Sequence, residues 1–136
     1  MIKRNKSKTM RSFLIFLMVL PLSSWGQRNL ADISKSIQTG NAQGLAYHFA
    51  QTVDINVGGI DDSFTKEKAV IILNSFFEKV NPQGFEVLHK GTSESKSMIY
   101  HIGLLKTEKG DYRVLFLSET KNNALVIEQF SLDKED

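Results

Sequence analysis

Two side chains near the middle of the chain, His89 and Tyr100, form the pair best suited to chemistry. An imidazole titrates near neutral pH and can serve as a general base, while a phenol can polarise a carbonyl by hydrogen bonding. Both lie in segments that alternate apolar and polar residues, and a turn centred on Glu94-Ser95 would set them opposite one another. The plainer reading is a cross-strand pair that satisfies its polar atoms at the edge of a core. His48 follows Tyr47 at the end of a short helical segment, where the helix dipole favours an imidazolium and capping explains it better than catalysis. The three histidines are dispersed, with no HxH or HExxH spacing, which argues against a metal centre. There is no cysteine to act as nucleophile or ligand, and no nucleophile elbow. Gly58-Gly59 lacks the following Lys and helix start of a phosphate-cradling loop and reads as a turn. No cofactor is implied.

Charge and hydropathy divide the chain in two. Residues 1–26 carry five basic side chains (Lys3, Arg4, Lys6, Lys8 and Arg11) and no acidic one, whereas residues 27–136 carry 12 basic against 15 acidic groups, a net −3. The formal +2 of the whole chain therefore belongs to its leader and gives no reason to expect nucleic acid as a partner. That leader has a basic start, an apolar run from Phe13 to Leu22, and the small residues Ser24 and Gly26 near its end. The run suits the core of a signal peptide and is too short to span a bilayer. The expectation is a signal peptide over 1–26, a mature chain from Gln27, and a periplasmic or secreted location with no stable membrane span. A lipoprotein anchor would need a cysteine, and the chain has none. Stability must come from packing without disulfides.

The 110 residues that follow suit a single domain with a sizeable core. Leu30, Ile33 and Ile37 recur at helical spacing, and Gly40 can supply the left-handed end. Asn41 can cap a second helix carrying Leu45, Tyr47, His48 and Phe49. Val53, Ile55 and Val57 then alternate with Asp54 and Asn56 as a half-buried strand, which Gly58-Gly59 and Asp61-Asp62 end in a loop. Thr65 is positioned to cap a long helix ending at Asn81-Pro82, with Ala69, Ile72 and Phe76 on one stripe and Leu73, Phe77 and Val80 beside it. After Gly84 the apolar period drops to two, predicting strands near 85–91, 97–106, 111–119 and 124–132 joined by short turns. The order implies an α+β fold in which helices cover one face of a curved antiparallel sheet.

Centring the next turn on Glu108-Lys109-Gly110 gathers Phe85, Val87, His89, Met98, Tyr100, Ile102, Leu104, Tyr112, Val114 and Phe116 on the inner face. The long helix should rest on that row. The opposite face then mixes His101, Arg113 and Glu119 with Leu105, Leu115, Leu117 and Phe130. So much apolar surface on neighbouring strands predicts a contact surface, with His101, Arg113 and Leu117 as partner contacts.

The segments "GNAQGLAYHFAQTVDI", "AVIILNSFFEKVNP", "FEVLHKG" and "YHIGLLKTEKGDYRV" resemble domain-of-unknown-function family 4783, small secreted proteins of Bacteroidota in the nuclear-transport-factor-2-like, cystatin-like superfamily. The resemblance extends over most of residues 30–132 and implies a cone-shaped sheet wrapped around helices. Superfamily relatives include ketosteroid isomerases, dehydratases, polyketide cyclases and many modules without catalysis, so the fold does not choose a function. The resemblance places Asp54 in the region of the isomerases' carboxylate base, although its alternation with Val53 and Ile55 points it outward. It also implies dimerisation through sheets. The resulting expectation is a non-catalytic exported module that binds a small apolar ligand or a protein partner, with a homodimer through the outer sheet face. The alternative is an isomerase or dehydratase using His89, Tyr100 and Asp54 in the cone cavity.

Overall fold

The structure, a computed structural model, describes residues 24–94 and 97–136, with side chains from residue 29 onward. The expected signal peptide lies outside the described residues except for Ser24–Gly26, which form the first turn of α1 (Ser24–Thr39). That helix buries Ile33 and Ile37 completely and ends where Gly40 takes a φ of 68°, a left-handed conformation that glycine adopts at little cost. The Asn41 side chain accepts a 2.9 Å hydrogen bond from the Gly44 amide and so caps α2 (Ala42–Ala46). This helix is shorter than its sequence suggested: Tyr47 and His48 form a turn, and Phe49 opens β1 (Phe49–Val57).

A strand stands where a loop was expected. Gly58 and Gly59, at φ 59° and 89°, make a two-residue turn into β2 (Ile60–Thr65), which pairs antiparallel with β1. Thr65 caps α3 (Lys66–Val80), accepting from the Lys68 amide at 3.3 Å, and Asn81 ends it at φ 54°. The remaining strands are β3 (Pro82–Thr92), β4 (Met98–Thr107), β5 (Gly110–Lys121) and β6 (Ala124–Lys134). The six form one sheet in the order β2-β1-β6-β5-β4-β3, antiparallel throughout except for the β1–β6 pair. Irregular register at four places bends the strands.

All three helices pack on the inner face, α1 against β3 and β6, α3 against β1 and β2, and α2 against both helices. The buried stripe of α3 is Ala69, Leu73, Phe77 and Val80, while Phe76 lies at its margin and meets Tyr112 edge-on at 5.2 Å. The helix thus sits over the first hairpin, not over the row of the later meander on which the sequence placed it.

The β4–β5 turn explains a larger correction. Thr107 pairs with Gly110 around the two residues Glu108-Lys109, one residue tighter than expected. The Thr107 hydroxyl fixes this turn, donating to the Gly110 carbonyl at 2.6 Å and accepting from the Lys109 amide at 3.0 Å. Because side chains alternate, that single step exchanges the two faces of β4. Phe85, Val87, Tyr112, Val114 and Phe116 do face inward, but Met98, Tyr100, Ile102 and Leu104 face outward, and Leu105 is fully buried. Phe130, also expected outside, pairs with Phe116 in the core and is fully buried.

Candidate functional site

The outer face of the sheet, free of helices among the described residues, collects most of the side chains that carry chemistry. Strand register arranges them in two rungs. One runs Asp61, Asn56, Ser131, Leu115, Ile102, His89 across β2, β1, β6, β5, β4 and β3. The next runs Ser63, Asp54, Gln129, Leu117, Tyr100, Gly91 over the same strands. One half of the face, on β2, β1 and β6, is therefore polar and acidic. The other half, on β5 and β4, is a strip of Leu117, Leu115, Tyr100, Ile102 and Leu104, all half-buried.

The three catalytic candidates do not converge. A register shift between Val87 and His89 turns the His89 side chain outward, where it is exposed opposite Ile102 and diagonal to Tyr100. The Tyr100 ring lies across the face of Gly91, occupying the space a Cβ there would need. Asp54 points outward as its alternation implied, and accepts a hydrogen bond from Ser63 Oγ. Two strands, β6 and β5, separate it from Tyr100. Among the described residues Asp54 lines a cleft that includes neither His89 nor Tyr100.

The partner-contact residues divide as well. Arg113 and Leu117 lie on the outer face as expected, Arg113 exposed and Leu117 half-buried. His101 does not. It is 1% exposed on the inner face, stacked on Phe116 with ring centroids 4.9 Å apart and planes at 18°. Its Nδ1 is buried without a hydrogen-bond partner. Burial lowers its pKa from the usual 6.5, and Lys90, its cross-strand neighbour, adds to that effect. The stack continues to Phe130 and Phe49, at centroid spacings of 6.4 and 6.2 Å, so one aromatic row crosses β4, β5, β6 and β1 through the interior. These rings, with Phe116 and Phe130 fully buried, fill the interior beneath the helices.

His48 is 8% exposed and borders a cleft of about 560 Å³ with Asp32, Lys35, Asn41 and Tyr47. Burial lowers its pKa, and Asp32 partly opposes the shift. A second cleft, of about 410 Å³, opens on the polar half of the outer face and includes Asp54, Asn56, Asp61, Gln129 and Ser131. The sequence singled out Asp54 but not its neighbours in the cleft, because residues 58–62 read as a loop. The Gly58-Gly59 pair was the available signal, since two such residues between strands favour a tight hairpin that would have set Asp61 beside Asn56. Among the described residues no cluster of three His, Cys, Asp or Glu could hold a metal ion, and no helix is long and apolar enough to cross a membrane.

A curved six-stranded sheet with helices on one face is the architecture of cystatin-like, nuclear-transport-factor-2-like proteins. Within that class the chain belongs to the DUF4783 family, a domain of unknown function whose model matches residues 30–133. It is similar to a DUF4783 protein of Bacteroides ovatus, with 27% identity and a TM-score of 0.71 over 78% of this chain and 94% of that one. A Bacteroides fragilis member matches at 23% identity and a TM-score of 0.69, over 86% of this chain and all of that one. At 13% identity, a cystatin-like-fold protein of Nostoc punctiforme shares the fold, with a TM-score of 0.62 over 80% of this chain and 74% of that one. No curated protein matches the sequence.

Proposed function

We propose that the mature chain is an exported, non-catalytic module that docks through the outer face of its sheet, with a second copy of itself as the partner. The observation that carries this reading is the strip of Tyr100, Ile102, Leu104, Leu115 and Leu117, side by side on β4 and β5 and covered by no helix among the described residues. An apolar patch contiguous over neighbouring strands is the usual mark of a contact surface. A strip of this kind can meet its own copy across a two-fold axis, which needs only one self-complementary patch. Arg113 and Glu119 stand at either end of the strip on β5 and supply a polar rim. The filled interior favours a protein partner over a small apolar ligand. The isomerase or dehydratase alternative has less support, because its three residues stand on an open face and not in a cavity. Export rests on the basic, apolar leader.

Sedimentation of the mature chain at micromolar concentration tests the docking. A dimer that dissociates on Leu117→Lys, with the far-ultraviolet spectrum unchanged, is the expected result. A single monomeric species in both proteins would remove the homodimer.

A further inference from the structure

We infer that the acidic cleft on the β1–β2 hairpin binds a small hydroxylated amine, of which amino sugars and amino alcohols are the simple examples. Its volume of about 410 Å³ falls within the range of small-molecule sites. Asp54 and Asp61 stand on the outer face itself and Asp62 borders the cleft, yet no basic side chain lines it. None of the three carboxylates makes an ion pair among the described residues, whose salt bridges are those of Lys121 with Glu119 and Glu128. Two like charges on this face, with a third at its border, favour a cationic occupant.

A second observation comes from the floor of the cleft. Ser131 is only 5% exposed, its strand position faces the cleft beside Asn56, and its hydroxyl meets no protein partner among the described residues. The hydroxyl opens onto the cleft, where a hydrogen-bonding group of an occupant would replace water. Gln129 and Asn56 add amide donors and acceptors on either side. The occupant therefore needs both a positive charge and hydrogen-bonding groups around it. No three His, Cys, Asp or Glu side chains among the described residues come close enough to hold a metal ion, which favours an organic cation. In a hydroxylated ammonium compound the –NH3+ donates to Asp54 and Asp61 while its hydroxyls reach Ser131, Asn56 and Gln129.

The proposal is independent of the homodimer and is tested on the mature chain by titration calorimetry and by nuclear magnetic resonance of the Asn56 and Gln129 side-chain amides. The probes are glucosamine, ethanolamine, glucose and calcium. Glucosamine should saturate and shift both amides, while glucose should do neither. Asp61→Asn, on an exposed edge strand, should weaken glucosamine by about tenfold or more, the loss expected for a charge-assisted hydrogen bond. Ser131→Ala should weaken glucosamine more than it weakens ethanolamine. Failure of both amines to shift the amides at millimolar concentration would overturn the inference. So would binding unchanged in Asp61→Asn, or tighter binding of calcium than of either amine at the same amides.

Discussion

His101 and Phe116 stack nearly face to face across β4 and β5, 4.9 Å between ring centroids, with the imidazole Nδ1 sealed inside and unpaired. An imidazole in that position functions as a ring and not as a base. It supplies a flat surface to the aromatic row while its nitrogen gives up hydration for nothing in return.

The consequence is a pH dependence of stability. Burial and Lys90 lower the pKa of His101 in the folded state, whereas in the unfolded chain it stays near 6.5. Below that value the unfolded chain takes up a proton that the native state resists, so stability falls as the pH drops from 6.5 toward the folded pKa. Above 6.5 both states are neutral and the effect vanishes. His48, lowered by its own burial, adds in the same direction. Urea unfolding at pH 5 and pH 7.5 should show His101→Leu gaining on the wild type at the acid end. Parallel pH profiles for the two proteins would mean that the imidazole titrates normally in the fold.

The α3 phenylalanines should differ in cost. Phe77 is 3% exposed at the centre of the buried stripe, so Phe77→Ala should destabilise by about 3–5 kcal/mol, the usual loss for a core Phe. Phe76 is half-buried and meets Tyr112 and Phe77 edge-on, so Phe76→Ala should cost roughly 1–3 kcal/mol. Equal losses in chemical denaturation would show that α3 is rotated from the position described.

Caps and turns with strong chemistry were legible in the sequence. Gly40, Asn41, Thr65 and Asn81-Pro82 each have one physical use in that context, and each bounds the element it was assigned to. The faces of β4 were not legible, because both of its alternating sets are largely apolar: Tyr100, Ile102 and Leu104 on one, Ile99, His101 and Leu105 on the other. Hydrophobicity could not choose between them, and the register depended on one residue in a turn. The register of β3 against β4 is likewise one residue off the expected one, and the bulge before His89 shifts it once more, for a reason that no local pattern carries. Strand β2 was hidden differently. An edge strand exposed along nearly its whole length has no apolar alternation to read, and its polar side chains are what protect the edge. The candidate cleft was lost with it.

If the leader is removed as its charge and length suggest, protein recovered from the native host should begin at Gln27, with the terminal glutamine cyclised to pyroglutamate. Mass spectrometry of the amino-terminal peptide decides this. Intact Met1 in a membrane fraction would contradict it.

Two glycines in the sheet should answer the same substitution differently. A Cβ on Gly103 would lie 2.5 Å from the Glu86 backbone carbonyl oxygen and 2.6 Å from the Phe85 ring, which covers this glycine on the inner face. Neither obstacle yields easily, since one is backbone in a paired strand and the other a ring packed under helices. Gly103→Ala should therefore destabilise by about 1–3 kcal/mol, as overpacking does elsewhere. At Gly91 the obstacle is the far end of the Tyr100 side chain on the open outer face, which can swing aside. Alanine there also removes the entropic cost of a glycine within a strand, about 0.5–1 kcal/mol. Gly91→Ala should consequently leave the melting temperature within a few degrees of wild type. It should also disturb the strip that contains Tyr100, and so weaken any self-association more than it weakens the fold. Loss of stability at Gly91 equal to that at Gly103 would place Tyr100 in a packed position and contradict the outward orientation of β4.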